Sequence, residues 1–168
     1  AAVTGDRNVA MGYQALKLIT SGDNNTALGV QSLDANTTAN NNTAIGSGSA
    51  TATTTGAGNV SVGQASFVTN TTGASNVAIG RGSLYSNTTA SEITAVGSCA
   101  LFSNTTGTDN VAVGFCALSC NTTGATNTAT GYLSLAANTT GGTNTAFGYK
   151  TLLVNTTGQY NTAVGKDA

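Results

Sequence analysis

The stretch "NTTGTDNVAVG" (Asn104 to Gly114) holds a single charge, Asp109, and no group that readily exchanges a proton at neutral pH. Near copies follow as "NTTGATNTATG" from Asn121, "NTTGGTNTAFG" from Asn138 and "NTTGQYNTAVG" from Asn155. Working outward, the Asn or Ile that opens each N-T/V-A-x-G unit stands at 8, 25, 42, 59, 76, 93, 110, 127, 144 and 161. The interval is 17 residues every time, with no insertion or deletion, so each unit must be geometrically equivalent to the next.

Counting from that Asn as position 1, the consensus is N-T-A-V-G-x-x-A-L-x-x-N-T-T-G-x-x. Gly fills position 5 in all ten copies: Gly12, Gly29, Gly46, Gly63, Gly80, Gly97, Gly114, Gly131, Gly148 and Gly165. Gly tolerates positive φ and close backbone approach, so this column reads as a corner. A second corner is expected at position 15, from Gly22, Gly56, Gly73, Gly107, Gly124, Gly141 and Gly158, where Asn-Thr-Thr-Gly supplies turn chemistry.

β-Branched residues and two glycine columns per unit oppose helices, and no i, i+3, i+4 stripe survives. Seventeen residues span at most about 56 Å fully extended, enough to run out and back once between sheets roughly 10 Å apart. The fold expected is therefore all-β: a parallel β-solenoid, or β-roll, of ten 17-residue coils forming a single repeat domain over residues 1–168. Identical residues recur so that they lie above one another and share hydrogen bonds in ladders.

Two large apolar columns are expected to fill the roll. One runs through Met11, Leu28, Ile45, Val62, Ile79, Val96, Val113 and Phe147 at position 4. The other runs through Leu16, Leu33, Phe67, Leu84, Leu101, Leu118, Leu135 and Leu152 at position 9. Successive strand residues alternate faces, yet neither face of positions 2 to 4 is strongly polar. One face is expected inside, and the other offers a flat small-residue or aliphatic surface to another chain. The expected partner is thus the chain itself, as a lateral oligomer or an end-to-end filament. The chain starts and stops within a repeat without a cap, and solenoids normally blunt such edges.

The composition bears on partners. Charged residues make up 7% of the chain against a usual quarter or so, and the net charge is -1. That leaves no basic field to attract nucleic acid or anionic lipid. No apolar run approaches the ~18 residues of a membrane span, and "AAVTGDRNVA" has neither the basic start nor the apolar middle of a signal peptide. Any export signal or anchor is expected outside this segment.

The strings "NVAIG" (76 to 80) and "NVAVG" (110 to 114) resemble the S-V-A-I-G-type motif of the YadA-like head repeats of trimeric autotransporter adhesins. "NVAMGYQAL" (8 to 16) and "NTTGTDNVAVG" look like repeats of phage tail-fibre and bacterial surface-fibre proteins. The resemblance covers nearly the whole chain. It implies a left-handed roll, commonly a homotrimer, displayed on a cell or virion surface for attachment to surface glycans or a host receptor. This chain departs from that family in a longer repeat and in carrying no coiled-coil stalk, anchor barrel or chaperone-like tail domain. No receptor motif is matched, so no binding residue carries over.

Enzymatic chemistry needs a tuned acid, base or nucleophile. With no histidine and eleven scattered charged residues the sequence supplies no convergent set, so neither catalytic residues nor a cofactor are expected. Three sulfurs (Cys99, Cys116, Cys120) cannot close a four-ligand zinc site alone, and the acidic residues recur at no common position as a calcium roll would require. Cys99 and Cys116 stand one repeat apart and are expected to come near each other.

Seven N-x-S/T sequons share position 12: Asn36, Asn70, Asn87, Asn104, Asn121, Asn138 and Asn155. They read either as N-glycosylation acceptors coating one edge or as a buried or edge Asn ladder, since glycans only about 4.8 Å apart would crowd. A Thr column at position 13, Thr20 through Thr156, raises ice binding as an alternative. Its neighbours at position 14 are adjacent rather than alternate, which opposes a two-column Thr face. Tyr13, Phe115, Tyr132 and Tyr149 share position 6, as a carbohydrate-stacking strip or as corner covers. The function expected is that of a non-enzymatic extracellular fibre protein, the shaft or head of a surface or virion fibre. The alternatives are an ice-binding solenoid and a glycosylated filament subunit.

Overall fold

The computed structural model describes residues 4–168; residues 1–3 of the expected repeat domain, and with them the start of the uncapped "AAVTG" opening, lie outside the described residues. Ten strands follow one another: β1 (Val9–Met11), β2 (Thr26–Leu28), β3 (Thr43–Ile45), β4 (Val60–Val62), β5 (Val77–Ile79), β6 (Thr94–Val96), β7 (Val111–Val113), β8 (Thr128–Thr130), β9 (Thr145–Phe147) and β10 (Thr162–Val164). They form one parallel sheet in chain order. Every pairing is in register at 17 residues, as in Val96↔Val113 and Ala112↔Ala129. The chain is a β-solenoid, each repeat making one turn.

The return path of each turn differs from the expected second sheet. It is a run of tight turns, although its peptide groups still bond to the adjacent coil: Leu33 N donates to Ser49 O at 3.1 Å and Ala35 N to Thr51 O at 3.0 Å. The cause lies in the backbone. Positions 7 and 9 both adopt the left-handed region, as at Cys116 (φ 51) and Leu118 (φ 52), which curls the chain too tightly for a strand.

That conformation explains a sequence bias. Position 9 carries Leu, Phe or Ala in every coil and never Val or Ile, because a β-branched side chain is a steric outlier at positive φ. Position 4, in extended backbone, accepts Val, Ile, Leu, Met, Phe and Thr freely.

The interior is narrower than two large columns would make it. Position 9 points inward, with Leu33, Phe67, Leu84, Leu101, Leu118 and Leu135 fully buried. Opposite them stands the small middle residue of each strand, such as Ala44, Ala78, Ala95 and Ala112, also fully buried. The position-4 column therefore faces outward: Met11 is 71% exposed, Phe147 58% and Ile79 38%. Alternation forces this choice, since a strand that turns its Ala inward must turn positions 2 and 4 out. In β4 the inward residue is Ser61, whose hydroxyl lies 2.6 Å from Ser66 Oγ and accepts from Ser49 Oγ at 2.8 Å, so the polar substitution is satisfied inside the roll.

The two glycine columns do different work. Gly114 has φ +138, closed to side-chain-bearing residues, and a Cβ on Gly46 would meet Gly63 O at 2.5 Å. At position 15 no positive φ is needed, and Gly124 is favoured only by crowding: a Cβ there would meet the Gly141 carbonyl, Asn121 Oδ1 and the Asn138 amide. Two coils accordingly carry Ala39 and Ala90 there, whereas no coil replaces the position-5 glycine.

Leu118→Ile should therefore destabilise the roll by about 2 kcal/mol or more despite unchanged volume, because it places a β-branched residue at positive φ. Leu118→Met, which keeps χ1 unbranched, should cost less than about 1.5 kcal/mol. Thermal unfolding followed by circular dichroism checks the order, at roughly 2–4 °C per kcal/mol for a chain of this size.

Candidate functional site

Two side-chain amide ladders run the length of the roll. At position 1, the Asn Oδ1 accepts the backbone N–H of the residue one coil on, and in most coils its Nδ2 as well, as Asn42 does from Asn59 at 2.9 and 3.1 Å. The Nδ2 also donates to the position-15 carbonyl of its own coil, as Asn59 does to Gly73 O at 2.9 Å. At position 12, Asn121 Nδ2 donates to Asn104 Oδ1 and to Gly124 O, both at 2.9 Å.

The sequon asparagines are this second ladder. Asn36, Asn70, Asn87, Asn104, Asn121 and Asn138 are fully buried, and Asn155 is partly covered. A glycan on Nδ2 would replace one of its two hydrogens, remove a donor from the ladder and need space that the interior does not have. The geometry gives these seven residues a structural role as hydrogen-bonding rungs.

The position-13 threonines are likewise occupied. Each hydroxyl donates to the Thr carbonyl one coil on, from Thr105 to Thr122 O and from Thr122 to Thr139 O at 3.0 Å each. Only the position-14 side chains, such as Thr106 and Thr123, are exposed in this stretch. A two-column Thr face is absent from this corner.

The position-6 aromatics form a ladder of their own. Phe115 and Tyr132 stack at 5.4 Å between centroids and 12° between planes, and Tyr132 and Tyr149 at 5.3 Å and 9°. The ammonium groups of Lys150 and Lys166 lie 5.2 and 5.8 Å from the Tyr149 centroid. Tyr132 is covered by a ring on each face, so this stretch presents mainly ring edges to solvent, while Tyr13 stands apart from the stack and exposed. Tyr85 and Phe102 form a second such pair at 5.0 Å. These ladders cover corners of the roll.

What remains exposed and regular is the outer face of the sheet, which the expectation of a buried position-4 column concealed. It consists of two parallel columns: Thr or Val at position 2 and mostly aliphatic residues at position 4. Ile45, Ile79, Val113 and Phe147 all stand on it more than a third exposed. No charged residue occupies either column. Alanine is the clue in sequence: a column that never exceeds Ala in size, beside one that ranges from Val to Phe, marks the tightly packed face.

No cluster of three or more His, Cys, Asp or Glu side chains able to hold a metal occurs among the described residues, and no helix there is long and apolar enough to cross a membrane. The three cysteines are reduced. Comparison with protein-family models, curated proteins and solved structures finds no match to this chain.

The rungs have one flaw that a substitution can mend. Thr53 interrupts the position-12 ladder between Asn36 and Asn70, and its buried hydroxyl has no partner. Thr53→Asn should restore the bonds to Asn36 Oδ1 and Gly56 O and stabilise the roll by about 1 kcal/mol. Asn104→Ala, which strands its neighbours' amides, should destabilise it by about 1–3 kcal/mol. Denaturant or thermal melts of the two variants measure both signs.

Proposed function

We propose that the chain is a non-enzymatic extracellular structural or adhesive fibre module, the shaft or head of a cell-surface or virion fibre, whose outer sheet face packs against copies of itself. The observation that carries this reading is the uncharged outward face of β1 to β10, with Ile45, Ile79, Val113 and Phe147 standing out from it. Three residues wide and ten strands long, it measures on the order of 10 by 45 Å, or about 450 Å². The largest patch on a typical monomer is of about this size, roughly 300–600 Å², and is often functional. It falls short of the about 800 Å² per partner of a stable interface, so flanking corners must contribute too.

A second reading is ice binding, favoured by one feature of the same face. Thr26, Thr43, Thr94, Thr128, Thr145 and Thr162 share one outward column with Val9, Val60, Val77 and Val111, beside the aliphatic position-4 column. Such a column offers hydroxyls and small apolar groups at a fixed repeat of about 4.8 Å.

The two readings separate in solution. Light scattering and electron microscopy of the intact chain should show trimers or filaments, and Ile79→Lys combined with Val113→Lys should release monomers with an unchanged β circular dichroism spectrum. Monomers throughout, with thermal hysteresis and faceted ice crystals, would replace the fibre by the ice-binding reading.

A further inference from the structure

Cys99 and Cys116 occupy position 7 of successive coils, an address the fold makes nearly identical for both. Their φ values are 57 and 51, so their Cα–Cβ bonds run side by side. The adjoining backbone is tied across the same gap, where Cys116 N donates to Ser98 O at 3.0 Å, and Cys99 N makes the equivalent bond to Arg81 O of the preceding coil, also at 3.0 Å. Successive coils are separated by about 4.8 Å, inside the 4.4–6.8 Å between Cα atoms that a disulfide spans. Side-by-side Cβ atoms must close by a few tenths of an ångström to reach the usual 3.5–4.5 Å, which takes a small backbone adjustment, while χ1 rotation turns the two sulfurs toward each other.

The third thiol is placed differently. Cys120 sits at position 11 of the same coil as Cys116, beyond the inward-pointing Leu118. Burial raises the Cys116 pKa first, then the adjacent Cys99 sulfur, to which it is hydrogen-bonded, with Cys120 contributing least. Cys99 and Cys116 are half-buried and within reach of a small reagent, while Cys120 is exposed.

We propose that Cys99 and Cys116 are a modification site: a dithiol that closes to a cross-coil disulfide by exchange with a low-molecular-weight disulfide, leaving Cys120 free. In the first step one protein thiolate attacks a sulfur of the small disulfide, breaking its S–S bond and expelling one small thiolate. The other protein thiolate then attacks the mixed disulfide at the protein sulfur and expels the second. Two protein thiols and one small disulfide thus become one protein disulfide and two small thiols, with both protons passing to the departing sulfurs. The bond staples the coil of β6 to that of β7 at a corner, leaving the outer sheet face unobstructed. Because the thiolate is the nucleophile and Cys116 holds its proton more firmly than a free thiol, closure speeds up as the pH rises.

The test uses the intact reduced chain and its Cys120→Ser variant, incubated with oxidised glutathione, then thiol-blocked and mapped with chymotrypsin without reduction. The expected result is a fall from three free thiols to one in the native chain and from two to none in the variant. A single linked peptide pair containing Cys99 and Cys116 should appear, lighter by two hydrogens than its reduced parts. Cys99→Ser should abolish that link. Retention of all thiols, glutathione adducts in place of an internal bond, or a link that includes Cys120 would overturn the proposal.

Discussion

Each turn of this roll passes its peptide hydrogen bonds to the turns before and after it, and that exchange works only while every turn contains the same number of residues. The 17-residue interval is therefore a mechanical constraint. It aligns strand with strand, as in Thr94↔Val111, and it aligns the curled return path as well, where Thr105 N donates to Thr122 O at 2.9 Å. The amide ladders depend on the same alignment. Asn138 can donate to Asn121 Oδ1 only because the two stand one above the other. Buried amides are costly when unpaired, so a slip of one residue would strand a whole column.

The same constraint sets the width of the interior. With Ala on the strand side and Leu on the turn side, the interior is thin, and stacked coils approach so closely at the position-5 corner that a Cβ on Gly46 would collide with Gly63 O. So thin a core leaves polar rungs to fill the corners, which is why Asn rather than a larger apolar residue recurs at positions 1 and 12. Ile93 shows the limit of substitution: it replaces a rung with apolar bulk, yet its backbone N–H still donates to Asn76 Oδ1 at 3.1 Å. The outer face escapes these demands, and there the residues vary from Thr to Phe.

Much of the fold was legible because periodicity needs no energetic argument: the repeat, the parallel stacking and the position-5 corner follow from Gly12 through Gly165 alone. Two features were hidden for physical reasons. The outward turn of Met11, Ile79 and Phe147 runs against the rule that large apolar residues go inside, and only close packing of coils, which admits nothing larger than Ala or Ser on the inner face, reverses it. The left-handed conformation of Leu84 and Leu101 was invisible because leucine seldom adopts it; the absence of Val and Ile from that column was its one trace. For the candidate surface, the sequence showed a face suited to another chain without showing which of the two it was. The asparagine column read as a ladder more readily than as glycan acceptors, and six of its seven members, Asn36 to Asn138, are fully buried and make the ladder's hydrogen bonds.

A rod with a polar-runged interior and an uncharged outer sheet is suited to repetition at larger scale, because every coil presents two outward side chains, at positions 2 and 4, at the same height. The central claim, that one repeat is one turn, is tested most directly by deleting chain from the middle of the rod and measuring cooperative unfolding by circular dichroism. Removal of residues 110–126, one full period, joins Asp109 to Asn127 in register and should leave a shorter roll with a β spectrum and a sharp transition. Removal of residues 110–125 displaces every later rung by one residue and should abolish that transition. Equal tolerance of both deletions would contradict the account.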